Sequence, residues 1–212
     1  MPGRSRTPAR RDPRDGDALT RLVATALLLA AVAPAVAGLP CLVDGDGVPL
    51  RWSMPVVYNL DPGLASHEGA ALVLAATEAW QHVPTAQVQF VPGAPLPVFV
   101  DVANYTQYFG RCGDGLSPII FDDDGSIIDD IVGTGASQVI LGLTFPDCGT
   151  DRAPGIPEMS VLINGSIFSL GDPTGRAALT QVVTHELGHV LNLCHTRLNA
   201  GFLNDGNGAN DA

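Results

Sequence analysis

The spacing of three histidines constrains this chain more than any other feature. His185 and His189 are four residues apart, and His195 follows six later, in the run HELGHVLNLCH. On a helix, residues i and i+4 share a face, so the first two imidazoles can reach one point. The third cannot follow if the helix continues. Six further residues at about 100° each would turn His195 roughly 120° away from His189 and lift it about 9 Å. For the rings to meet, the chain must leave the helix near Asn192 and fold back. Such breaks need a left-handed residue, most often glycine and next asparagine. Asn192 stands where that residue is required.

Three imidazoles at one point form a favoured zinc ligand set, with a fourth tetrahedral position left for water. The expected metal ligands are therefore His185, His189 and His195. Glu186 lies one residue round the helix, where its carboxylate reaches a metal-bound water rather than the metal. Zinc lowers the pKa of that water toward about 7, and the glutamate takes its proton as it attacks a carbonyl. Glu186 is the expected general base. The other two histidines, His67 and His82, lie in or beside the first predicted helix, so no second zinc is expected. His82 reads as a helix C-terminal cation.

With 46% apolar residues in 212, the chain can bury one core, and wholesale disorder is excluded. Strands are expected over 52–60, 87–91, 96–102, 119–121, 138–145 and 159–163. Helices are expected from Ser66, as cap, to about His82, and from Asp172-Pro173 onward, where Asp caps and Pro opens the first turn. Strand, helix, several strands and helix make an α+β class with a mixed sheet and two main helices.

The N-terminus is basic, with six arginines in the first 21 residues, and is followed by the apolar run Leu22–Ala33 and then Ala35-Val36-Ala37. That layout is a secretory signal peptide over 1–37, with a mature start near Gly38. The run is short for a membrane span, the competing reading. Beyond residue 37, 5 arginines face 19 acidic residues. Such a surface repels phosphate backbones and anionic lipid, which excludes nucleic-acid binding and stable membrane association. The expected protein is secreted and monomeric. All four cysteines, Cys41, Cys112, Cys148 and Cys194, follow the cut. An even count in an exported chain points to disulfides, and Cys112 and Cys148, both in Gly/Pro/Asp-rich loops, make the favoured pair of three connectivities.

The long motif resembles the zinc signature of the metzincin clan of metallopeptidases, H-E-x-x-H-x-x-G-x-x-H, and its matrixin branch with bacterial relatives. Weaker likenesses lie upstream in Pro55-Val56-Val57-Tyr58, Glu78-Ala79-Trp80 and Val88-Gln89-Phe90. VILGLTFP, from Val139 to Pro146, is similar to the matrixin edge strand. The resemblance implies a metzincin-like domain over 38–203 with its zinc site on the second helix. It also implies a protein or peptide substrate lying extended along Val139, Ile140, Leu141 and Gly142. The chain departs from the family in two places. Asn192 replaces the glycine, and no methionine follows His195, since the methionines are Met1, Met54 and Met159. Either the family's methionine turn belongs to a longer chain, or the floor is built differently. The Gly/Asn/Asp-rich tail over 204–212 favours truncation.

The run Phe121–Asp130 holds five carboxylates around a glycine turn, hard oxygen ligands of the kind calcium takes. Matrixins use structural calcium, so Asp122, Asp124 and Asp129 are possible ligands. Asp44-Gly45-Asp46-Gly47 is a weaker version. The leading function is a zinc metalloendopeptidase. A catalytically incomplete zinc-binding domain serving adhesion or recognition is the alternative, and a zinc hydrolase acting on another bond is a third.

Overall fold

β-Branched and aliphatic runs bounded by Pro, Gly and Asp turns build a five-stranded mixed sheet. The computed structural model describes residues 40–63, 69–148, 155–168 and 171–195, all within the unit Gly38–Ala212. The signal segment, the Ser66 cap, His67 and the 204–212 tail lie outside the described residues. The elements are β1 (Val56–Leu60), α1 (Gly69–Gln81), β2 (Phe90–Pro92), β3 (Pro118–Asp122), α2 (Ser126–Val132), β4 (Gly142–Pro146), β5 (Met159–Asn164) and α3 (Pro173–Val190). The class is α+β, with three helices among the described residues.

The strand order is β2-β1-β3-β5-β4. The first four strands run parallel, with Val56 opposite Phe90, Leu60 opposite Ile119, and Ile120 opposite Leu162. β4 runs antiparallel on β5, with Leu143 opposite Leu162, and forms one edge of the sheet. β3 and β5 are buried along their whole length. Period two explains the near-continuous apolar sequence there, since both faces are covered. Ile119, Phe121, Val161 and Ile163 meet α1 and α3 through Val73, Ala76, Leu179, Val183 and Leu187. Ile120 and Leu162 face the other way, onto Ile127 and Ile128 of α2 and onto Leu96 and Val100.

The strands expected over 52–60 and 87–91 start only at Val56 and Phe90, and three further expectations change. Residues 96–102 form no strand. Pro95 and Pro97 each lack a ladder donor, and the segment is pinned instead by Leu96 N–H on the Leu60 carbonyl and Val100 N–H on Asp61 Oδ1. The acidic turn after β3 continues into a helix, α2, because Ile127 and Ile128 bury against the sheet and Asp122 Oδ2 accepts the Ile128 N–H. The strand expected over 138–145 starts only at Gly142. Before it, Asp129 accepts the N–H groups of Gly135 and Ser137 and holds a 3₁₀ turn over Ala136–Gln138.

α3 begins as its sequence requires. Pro173 occupies the first turn, and the Asp172 carboxylate accepts the Gly175 N–H at 3.2 Å. Its register against α1 is set where Trp80 Nε1 donates to the Thr184 carbonyl at 2.8 Å. Gly188 faces the same indole, where an added Cβ would stand 3.0 Å from Trp80 Cζ2. This packing places the C-terminal turns of α3 beside β4.

Candidate metal centre

The histidines at the end of α3 converge because the helix stops where the sequence demands. Asn192 takes φ 69°, the described non-glycine residue with positive φ. Around it, Asn192 N–H donates to the His189 carbonyl at 2.8 Å and Leu193 N–H to the Gly188 carbonyl at 3.0 Å. That pair of bonds is a Schellman ending, which turns the chain back across the helix end. Trp52 Nε1 satisfies a further terminal carbonyl, that of Val190, at 2.6 Å.

The reversal brings the three imidazoles together. His185 Nε2 lies 2.9 Å from His195 Nε2 and 3.1 Å from His189 Nε2, and the His189–His195 separation is 3.2 Å. Two nitrogens bound tetrahedrally at zinc's usual Zn–N distance of about 2.0–2.1 Å stand roughly 3.3 Å apart. The nitrogen triangle is close to that size. His189 Nδ1 lies 2.6 Å from the Leu193 carbonyl, which can only accept, so Nδ1 carries the hydrogen. The Nε2 lone pair of a neutral His189 then points into the triangle, the arrangement that orients a ligating histidine. Burial, then the neighbouring imidazoles, hold His185 and His195 below the usual histidine range, favouring the neutral form a cation needs. The residues fit a tetrahedral cation.

Glu186 is 5% exposed, against β4. Thr144 Oγ1 lies 2.6 Å from Glu186 Oε2. Burial raises the Glu186 carboxyl above its ordinary range, while the Thr144 bond and the charge of His189 oppose the rise. A cleft of about 780 Å³ opens over the site, bordered by His185, Glu186, Leu143, Val182, Met159 and Phe168.

The chain matches no protein-family model, no curated protein and no solved structure.

Val139, Ile140, Leu141 and Gly142 all border the cleft, but only Gly142 belongs to β4. Asp122, Asp124 and Asp129, the residues expected for calcium, are not grouped around one point among the described residues. Asp124 Oδ1 accepts the Ser126 N–H, Asp129 caps the 3₁₀ turn, and Asp122 Oδ2 caps α2. Among the described residues, the side chains close enough to share an ion are the histidine triad and Cys112, Cys148 and Glu158, and those cysteines are disulfide-bonded. Cys112–Cys148 is the pairing its loops favoured, and Cys41 pairs with Cys194, beside His195. His82 Nδ1 approaches the Glu78 carbonyl at 2.7 Å at the end of α1, apart from the histidine triad.

Two features escape sequence reasoning. Thr144 gives no local signal, because its partner lies 42 residues away. The Asn192 side chain does more than permit a turn. Its Oδ1 accepts the Leu42 N–H at 2.6 Å, and Nδ2 donates to the carbonyls of Leu42 at 2.8 Å and Leu50 at 3.0 Å. The N-terminal segment is thereby stitched to the loop that carries His195, and an amide side chain performs a task that glycine cannot.

Proposed function

We propose that this protein is a secreted zinc-dependent metalloendopeptidase, monomeric, acting on protein or peptide substrates. The observation that carries the reading is a buried carboxylate, Glu186, next to His185 on the helix that also carries His189, with the Nε2 atoms of these two histidines and of His195 within 3.2 Å of one another. A binding module has use for the imidazoles but none for that acid. The resemblance of HELGHVLNLCH to the metzincin signature supports the same reading. So does the placement of an α+β sheet edge beside the triad.

His185, His189 and His195 would hold the zinc, which supplies Lewis acidity and lowers the pKa of a bound water toward about 7. Glu186 accepts the proton released as water adds to the peptide carbonyl, and returns it to the departing amine. Burial at this position strengthens the carboxylate as a base by stripping it of water. Among the described residues β4 is paired on one side only, by β5, so its other edge can accept an extended peptide as an added strand. The cleft beside it, lined by Val182, Met159 and Phe168, takes an apolar side chain of that peptide.

The test is a comparison of wild type with Glu186→Gln on unfolded casein, with and without a zinc chelator. Near-stoichiometric zinc is expected in both proteins, with turnover lower by about 10²–10⁴-fold in the variant. Cleavage that survives the chelator, or a variant as fast as wild type, would remove the mechanism.

A further inference from the structure

Gly142 and Thr144 are two residues apart on β4, so their side-chain positions share one face. That face meets Glu186. Thr144 Oγ1 lies 2.6 Å from Glu186 Oε2 and 3.2 Å from the Glu186 carbonyl oxygen. A hydroxyl has one hydrogen to give, and the shorter, charge-assisted contact takes it. At Gly142 an added Cβ would stand 2.8 Å from both Cγ and Oε1 of Glu186, and 3.0 Å from Cδ. The carboxylate therefore fills the volume that a side chain on residue 142 would occupy.

We propose that Gly142 and Thr144 form a cradle that holds the Glu186 carboxylate in a single rotamer, with Thr144 as a positioning residue for the base. The proposal rests on Glu186 being the base. Thr144 Oγ1 donates to the carboxylate and Gly142 leaves the space it fills, so the two residues together fix its terminal torsion. The bond also divides the two oxygens. Oε2 is engaged by the hydroxyl, and Oε1 is left to accept a proton. Because the cradle belongs to the strand whose open edge would take a peptide, one rigid element sets both the substrate register and the base. A glutamate released from it could swing through three side-chain torsions, and an error of about 1 Å in such a group costs on the order of 10²-fold in rate.

The experiment compares Thr144→Val, Thr144→Ser and Gly142→Ala in the full chain loaded with zinc, assayed on casein, with urea unfolding midpoints measured in parallel. Thr144→Val should lower kcat by about 10–100-fold with KM and zinc content unchanged. Thr144→Ser should stay within about threefold of wild type, since it keeps the hydroxyl. Gly142→Ala should lower kcat in the same way by displacing the carboxylate, which is flexible enough to move without unfolding the chain. Thr144→Val at full kcat, or Thr144→Ser as slow as Thr144→Val, overturns the proposal. If the wild-type chain cleaves nothing, the peptidase reading fails by itself. The cradle is then decided by the urea midpoints of Thr144→Val, Glu186→Ala and the double variant. Non-additive shifts support it, and additive shifts overturn it.

Discussion

Replacing Asn192 with the glycine that the resembling family carries should weaken this protein rather than relax it. Glycine adopts φ 69° freely, so the Schellman ending itself survives. What disappears is the amide. Asn192 is 4% exposed, and its side chain satisfies the Leu42 N–H and the carbonyls of Leu42 and Leu50. Each such bond is worth about 1 kcal/mol net, and glycine adds about 0.5–1 kcal/mol of unfolded-chain entropy. Relief of the strain of a left-handed asparagine offsets part of this loss. The expected cost is about 2–4 kcal/mol, with the three backbone groups left to find water. Urea unfolding of the oxidised chain, read by tryptophan fluorescence, measures it, with Trp52 reporting directly because its indole donates to Val190 at the same junction. Zinc affinity should fall by about 10–100-fold as the loop bearing His195 loosens. Asn192→Asp keeps the acceptor for Leu42 but sets a buried carboxylate oxygen against the carbonyls of Leu42 and Leu50, so near neutral pH its stability should fall at least as far as that of the glycine variant. A glycine variant as stable as wild type, with unchanged zinc affinity, would refute the clamp.

Removing the Cys41–Cys194 bridge by a double Cys→Ser change opens a link spanning 153 residues and should cost about 2–5 kcal/mol, read as a lower thermal midpoint. Zinc should also dissociate faster from the Cys→Ser protein, because Cys194 adjoins His195. Asp147 predicts a pH dependence. Burial, only partly opposed by the Ser160 hydroxyl and reinforced by Glu158 and Asp114, pushes its carboxyl up to about 7. The folded state therefore holds this proton more tightly than the unfolded state. The resulting stability is fully present below about pH 4 and is lost as pH rises through about 7, a span worth about 2–4 kcal/mol. Asp147→Asn should flatten that part of the stability–pH curve, and an unchanged slope would show that Asp147 does not cause it.

Local rules carried far in this chain because the site is mostly local. Three histidines, a glutamate and a helix-ending asparagine fall within eleven consecutive residues, and helical geometry alone relates them. The Asp172-Pro173 start of α3 and the apolar runs of β3 and β5 were legible for the same reason. Each depends on backbone chemistry or period-two burial that a sequence displays directly. The strand expected over 96–102 was not, because its apolar residues serve the core without joining a ladder. The acidic run was not, because its carboxylates accept backbone N–H groups around α2 and the 3₁₀ turn, contacts that its composition does not display.

What only the tertiary structure decided are the contacts between residues far apart in sequence. Thr144 meets Glu186 across 42 residues, and Asn192 meets Leu42 across 150. Neither polar side chain carries any periodic or compositional mark of its partner. A hydrogen bond needs two groups within about 3 Å, and over such separations the packing of the whole sheet against α3 sets that distance. The sequence by itself determined which atoms could bind a cation and where the helix had to end. The fold determined what holds those atoms still.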